Sequence, residues 1–354
     1  MHHLGVGGAE RLVFELSLAQ AQLGHRVALL LLTDKHPAVE GARLEQERTA
    51  MLTEAGIQIH LLGGGSRSVG RNASRYRKLI RSGLVRPDVV HAHTPVGAPI
   101  AKLAGMAPVH LSLHSTGFSV STTWIRLLAR WADTLSSGSE AVAQQLSKSM
   151  RRDVMVVPYG LNIPRRTSAA RAKEHCGVKI LFIGRLEQQK RPDRFIRAIS
   201  NVVDRSSSTE AGIEVRVIGD GVLREEVARL VHDLGLASHV RLLGAETGLE
   251  EHFEWADALV STSDYEGIPL VILEALSRAT PVLATPFEGA LELEREGYPV
   301  VTAADFSVDA MSVLLTRVCE DFHGGSESTL TSWEGSAIPT ADDMARAFSV
   351  AYGA

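Results

Sequence analysis

Lys179-Ile180-Leu181-Phe182-Ile183-Gly184-Arg185-Leu186-Glu187-Gln188-Gln189-Lys190-Arg191-Pro192 is the stretch from which the fold can be read. An apolar run closed by glycine reads as a buried strand, and Pro192 suits the first position of a helix, where its missing N–H would have no partner anyway. Strand, polar loop and helix in that order make one β/α unit. The rhythm extends outward on both sides. Downstream, strands are expected at 214–218, 240–243, 258–261 and 281–284. Upstream they are expected at 26–32, 57–62, 88–92, 109–114 and 154–157. Short strands alternating with longer amphipathic stretches predict an α/β protein of two doubly wound, Rossmann-like units in tandem.

The expected boundaries are a first domain at 1–160, a connection at 161–177 carrying Arg, Ser, Ala and a proline, a second domain at 178–338, and a terminal element at 339–354. Thr340 is a good N-cap followed by Asp342 and Asp343, so 340–352 should be helical. At the front, Gly5-Val6-Gly7-Gly8-Ala9-Glu10 looks like the turn after a first strand, yet only Met1-His2-His3-Leu4 precede it. In a doubly wound sheet the first strand is usually central, and losing it would leave its neighbours with open edges. The stretch reads as a chain whose natural start lies upstream of Met1.

A chain of 354 residues with 45% hydrophobic content can build two cores. Cys176 and Cys319 lie far apart without metal-ligand spacing, which argues against a disulfide framework or a zinc site and for a reducing cytoplasm. The longest strongly apolar run, 27–32, is far too short to span a bilayer, which takes roughly 20 residues. Residues 1–170 hold 20 Lys and Arg against 11 Asp and Glu, whereas residues 171–354 hold 17 against 30. Either the two halves face different partners or they carry unequal solvated faces.

Glu266-Gly267-Ile268-Pro269-Leu270-Val271-Ile272-Leu273-Glu274 places two acids around a helix start. With Pro269 at the first helical position, the amides from Gly267 onward would be free to receive an anion. A run of eight residues would rise about 12 Å, enough for two carboxylates to flank a diphosphate; an amphipathic helix with solvated ends explains the same residues. Arg185 and Lys190 sit in a loop at a strand's C-terminal end, where open α/β sheets bind ligands, or they form surface ion pairs. Gly219-Asp220-Gly221 ends another strand as a tight turn or as a close approach to a base. His93 and His114 each end a strand. No Asp-x-Asp pair occurs, so no metal and no other cofactor is expected.

Taken together, Gly7-Gly8-Ala9-Glu10, Gly184-Arg185 with Lys190, Gly219-Asp220-Gly221 and Glu266-Gly267-x-Pro269 ending in Glu274 resemble the retaining glycosyltransferases of family four, which have the GT-B fold. Val156-Val157-Pro158-Tyr159-Gly160 resembles that family's interdomain junction, and the last helix the one that crosses back to the first domain. The resemblance implies two lobes facing a cleft and a sugar moved from a UDP- or GDP-linked donor to a hydroxyl acceptor, lipid-linked in many relatives. It implies that Arg185 and Lys190 hold the diphosphate, Glu266 the sugar hydroxyls and Glu274 the ribose. The amides of Gly267, Ile268, Pro269's successor Leu270 and their neighbours would bind sugar and phosphate oxygens. His114 would lie beside the sugar, Gly7 and Gly8 on the diphosphate and acceptor side, and Gly184 and Gly219 to Gly221 around the nucleotide. Front-face attack would need no enzymic base, and Glu266 as covalent nucleophile is the competing mechanism. Arg191 stands where the family commonly has glycine, and 286–292 match only loosely, so Glu292 receives no role.

Residues 67–86 hold seven cations and no acid, interleaved with Val69, Ala73, Tyr76, Leu79 and Ile80, a pattern that suits an anionic membrane surface or a solvated helix face. The expected location is accordingly cytoplasmic, at the inner face of the membrane if the stretch binds lipid. No nucleic-acid partner is expected. A sugar-nucleotide epimerase and a silent sugar-nucleotide-binding module are the rival functions.

Overall fold

The structure, a computed structural model, describes residues 3–5, 7–33, 39–105, 108–114, 122–163, 177–205, 212–324 and 338–353. The chain divides into two compact units, one of residues 1–162 with 339–354 and one of residues 163–338.

In the first unit α1 (Gly8–Gln22) leads to β1 (Ala28–Leu31), α2 (Val39–Glu54), β2 (Gln58–Leu61) and α3 (Val69–Arg81). Then follow β3 (Val90–Ala92), α4 (Gly97–Leu103), β4 (Val109–Ser112), α5 (Thr122–Ala129), β5 (Thr134–Ser137), α6 (Glu140–Met150) and β6 (Met155–Val156). All pairings are parallel, but the strands form two sheets, β1-β2 and β3-β4-β5-β6. No strand is described ahead of α1, and the facing edges of β1 and β3 line a cavity of about 630 Å³. Buried Leu111, Leu113, Leu135 and Ile125 centre the larger core, and Leu4, Leu52 and Leu29 a smaller one beside β1.

The second unit runs β7 (Val178–Ile183), α7 (Pro192–Arg205), β8 (Ile213–Ile218), α8 (Arg224–Asp233), β9 (Val240–Gly244), α9 (Glu250–Trp255), β10 (Ala258–Ser261), α10 (Leu270–Ser277), β11 (Val282–Ala284), α11 (Glu288–Arg295), β12 (Val300–Thr302) and α12 (Val308–Gly324). Its six parallel strands lie in the order β12-β11-β10-β7-β8-β9. That is the Rossmann order, with β7 and β10 side by side where the winding reverses. The strands are Val-, Ile- and Leu-rich because helices cover both faces; Phe195, Ile196 and Ile199 of α7 pack against Ile180, Phe182 and Val215.

The chain then returns to the first unit as α13 (Ala341–Tyr352), which packs on α1. Thr340 and Asp343 form a reciprocal capping box at its start. β5 and β12 are absent from the sequence expectation. β5 is Thr-Leu-Ser-Ser and carries no apolar run. Its buried hydroxyls are instead satisfied sideways, Ser136 by Ser112 and His110 at 2.8 Å each.

Candidate active site

In the second unit the expected donor residues gather at the C-terminal edge of the sheet, around the β7/β10 switch point. Gly184 follows β7, and a 3₁₀ turn at Gln188–Lys190 brings Lys190 back over it. The Lys190 ammonium pairs with the Glu266 carboxylate, whose Oε1 also accepts a 2.9 Å bond from Ser263 Oγ. Both partners are largely shielded, with side-chain exposures of 17% and 11%. Arg185 differs: its side chain is 58% exposed and pairs with Glu187 at 2.7 Å. A surface pair of that kind contributes about 0–1 kcal/mol, so Arg185 can turn to another anion at little cost.

The loops are stitched to each other. Thr262 Oγ1 donates to the Lys190 and Arg191 carbonyls at 3.0 and 2.9 Å, and the Asp264 amide donates to the Gln189 carbonyl at 2.9 Å. Arg191 adopts a left-handed φ of 49°. It bonds both Asp193 oxygens at 2.9 Å and reaches Asp264 at 3.5 Å. Burial pushes the Asp193 carboxyl upward, but the hydrogen bonds and charge of Arg191 outweigh it and leave the group below its usual range. Buried Arg194 completes the frame, donating at 2.7 Å to Asp264 and to the Thr262 carbonyl.

Close backbone approaches explain the glycines. A Cβ at Gly219 would lie 1.9 Å from the Gly184 carbonyl oxygen and one at Gly221 2.5 Å from that of Leu186. The β8 loop therefore rests directly on the β7 loop, tied by the Leu186 amide to the Asp220 carbonyl at 2.9 Å. Asp220 itself is exposed and faces Arg224 at 3.7 Å. A Cβ at Gly289 would lie 1.7 Å from the Gly267 carbonyl oxygen, so the loosely matching 286–292 segment seats α11 against the Glu266–Gly267 backbone.

One expectation about this segment is corrected. Pro269 is the N-cap of α10, not its first helical residue: its ψ is 131°, and its carbonyl accepts from the Ile272 amide at 3.0 Å. The rigid ring thus aims the chain into the helix from outside. The amides of Gly267, Ile268, Leu270 and Val271 find no acceptor among the described residues. Glu274 lies four residues inside α10 and is 5% exposed.

Gly7, Gly8 and His114 belong to the first unit. Gly7 caps α1, and the Glu10 carboxylate folds over it where a Cβ would stand. His114 bonds the Tyr159 hydroxyl at 2.6 Å and approaches His93 at 3.4 Å. Burial lowers its imidazole to about 4, so it is neutral at physiological pH. A polar ladder lies beneath: Tyr352 of α13 bonds His91 at 2.7 Å, His91 bonds Ser112 at 2.6 Å, and Ser136 bonds His110 at 2.8 Å. His110 is likewise held near 4 by burial. Cys319 is buried and its thiol is pushed up to about 11 by that burial, so it is inert; Cys176 lies outside the described residues.

Residues that sequence reasoning missed are Thr262, Ser263, Asp264 and Arg194. The run Thr-Ser-Asp after an apolar strand was the available signal, since hydroxyl and carboxylate groups there can only serve neighbouring loops.

A Rossmann-ordered second unit, a parallel α/β first unit and a terminal helix that rejoins it define the GT-B class of fold. The crystal structure of Anabaena HepE in complex with UDP and glucose shares it, with a TM-score of 0.79 at 18% identity, covering 100% of this chain and 98% of that one. The glycosyl transferases group 1 model matches residues 166–343, and the Glycosyltransferase Family 4 model residues 6–165. The chain belongs to the glycosyl transferases group 1 family and is a glycosyltransferase. It is 25% identical to glycogen synthase of Mycobacterium tuberculosis over 89% of this chain and 83% of that protein. To the Escherichia coli UDP-Gal:alpha-D-GlcNAc-diphosphoundecaprenol alpha-1,3-galactosyltransferase it is 24% identical, over 66% and 67% respectively.

Proposed function

We propose that the protein transfers a sugar, with retention of anomeric configuration and without a divalent ion, from a nucleoside diphosphate donor to a hydroxyl acceptor. The observation that carries this reading is the switch-point cluster of Lys190, Glu266 and the free amides from Gly267 to Val271. In the proposal the diphosphate sits on Arg185, Lys190 and those amides, which supply the counter-charge a leaving diphosphate needs. Lys190 exchanges Glu266 for phosphate, and the freed carboxylate receives sugar hydroxyls. Glu274 takes the ribose, Gly184 and Gly219 to Gly221 let the nucleotide approach the backbone, and neutral His114 with Gly7 and Gly8 serves the sugar and acceptor side. The acceptor hydroxyl enters on the leaving-group face and passes its proton to a donor phosphate oxygen as the glycosidic C–O bond to phosphate breaks and the new one forms.

UDP is favoured as the carrier, because UDP is bound in the similar HepE structure and UDP-galactose serves the similar E. coli enzyme; GDP is the alternative. A lipid-linked acceptor is supported by the same relative. The exposed cations of α3, among them Arg71, Lys78 and Arg81, favour work at the cytoplasmic face of an anionic membrane. No described helix is long and apolar enough to cross a membrane. The test is turnover with a panel of nucleotide sugars in excess EDTA. Acceptor-dependent nucleotide release with an α-linked product from an α-linked donor supports the proposal. An inverted product, a strict metal requirement or an isomerised donor rejects it.

A further inference from the structure

The basic stretch on α3 does not provide a membrane anchor by itself. Ala73 and Tyr76 are buried, and Val69, Leu79 and Ile80 pack against the core, so the outward face of α3 carries cations, and the one exposed apolar side chain of the stretch, Leu84, stands alone beyond the helix. The apolar counterpart lies on α5. Trp124, Leu127 and Trp131 are 58%, 47% and 39% exposed at spacings of three and four residues, one face of the helix and its following turn. Single exposed apolar side chains are ordinary, but an exposed row with two tryptophans is the composition of a bilayer–water interface.

Beside that row is a cavity of about 780 Å³ between α5 and the C-terminal end of α6, walled by Arg126, Arg130, Lys148, Arg151 and Arg152 with no acid in its lining. Arg152 has a structural task, donating to the Ala129, Ala132 and Asp133 carbonyls at 2.7 to 2.9 Å. Arg126, Arg130, Lys148 and Arg151 make no ion pair and no side-chain hydrogen bond with any described residue. Of the nearby acids, Asp133 is engaged by Lys102 at 2.7 Å, and exposed Asp153, next to Arg152 in the chain, lies outside the lining and makes no ion pair with a described residue. Four unneutralised cations exceed what helix C-termini attract, since each end carries only about half a negative charge.

We propose that this cavity binds the phosphate of an anionic phospholipid headgroup while Trp124, Leu127 and Trp131 enter the interface, docking the first unit on the bilayer. The site is separate from the donor cluster, and its readout is vesicle binding, so it stands or falls independently of the transfer reading.

The test is co-sedimentation of the full chain with phosphatidylcholine vesicles, with and without phosphatidylglycerol, following tryptophan emission. The wild type is expected to bind only the anionic vesicles, with a blue shift that W124S diminishes. R126E/R130E should weaken binding at least about 25-fold, on the order of fivefold for each cation near the surface. R126Q/R130Q gives the same reading, less steeply, if the reversed pair perturbs folding by circular dichroism. No binding at low salt, unchanged binding in both variants, or saturable binding of inorganic phosphate without vesicle binding would overturn the proposal. So would equal loss from K78E/R81E on α3 with no tryptophan shift.

Discussion

The two units show how much a nucleotide-type fold owes to an unbroken sheet. In the second, six strands run in Rossmann order and the loops leaving β7, β8 and β10 rest on one another, glycine against carbonyl, so the cluster around Lys190 is fixed from several sides. In the first, β1-β2 and β3-β6 are separate sheets, and a ladder of neutral histidines and hydroxyls ties β3, β4 and β5 to α13. Close packing of backbone defines the cluster of the second unit, the proposed donor side. Buried polar contacts define the other, and these respond to different perturbations.

The largest effect should come from the donor cluster. Lys190→Met and Glu266→Gln are each expected to lower kcat/KM by about 10²–10³, and the double variant by less than the product, because the residues act as a unit. Near-normal turnover by either single variant would remove the second unit's claim to be the reacting side. Gly289→Ala comes next: its Cβ would meet the Gly267 carbonyl, so about 1–3 kcal/mol of stability should be lost along with donor affinity. Thermal unfolding and donor titration would show it. A fully stable Gly289→Ala with normal affinity would mean the loop contact is dispensable.

The third prediction separates the units by pH. Burial holds His110 and His114 near 4 in the folded chain and lowers His91 and His93 as well. An unfolded histidine titrates near 6.5, so the unfolded state binds more protons in the interval. Stability from these groups is full above about pH 6.5 and falls as pH drops toward 4, on the order of 3 kcal/mol for His110, whose ring is fully buried. Hydrogen exchange should therefore accelerate first in β3, β4 and α13, with β7 and β8 lagging. Simultaneous acceleration would show that the ladder is not the acid-sensitive element. Smallest is Arg191→Gly, which relieves a left-handed φ worth about 1–2 kcal/mol but loses two ion pairs. Its melting temperature should move little while donor KM rises a few-fold.

The fold was legible wherever strands show an apolar run or a clean alternation: β7 and β10 follow from the first, and β8, with Glu214 and Arg216 between apolar residues, from the second. β5 was hidden because Ser136 and Ser137 are buried, the Ser136 hydroxyl bonded to Ser112 and His110, and hydropathy does not register such burial. The same limit applied to the site. Lys190, Glu266 and the Gly267 turn were readable as chemistry at strand ends, but the Arg191–Asp264 contact joins residues 73 apart in the chain, and only the strand order brings them together. Tyr76 shows the converse: its cationic neighbours suggested a lipid-facing row, whereas the helix turns it into the core.

The central claim is that Arg185, Lys190 and the Gly267–Val271 amides grip a diphosphate without a metal. Calorimetric titration of UDP and GDP into the wild type, Arg185→Ala and Lys190→Met in EDTA tests it directly. Binding of at least one nucleotide by the wild type, weakened about tenfold or more in each variant, is the predicted result. Binding that needs a divalent ion, or that ignores both substitutions, would contradict it.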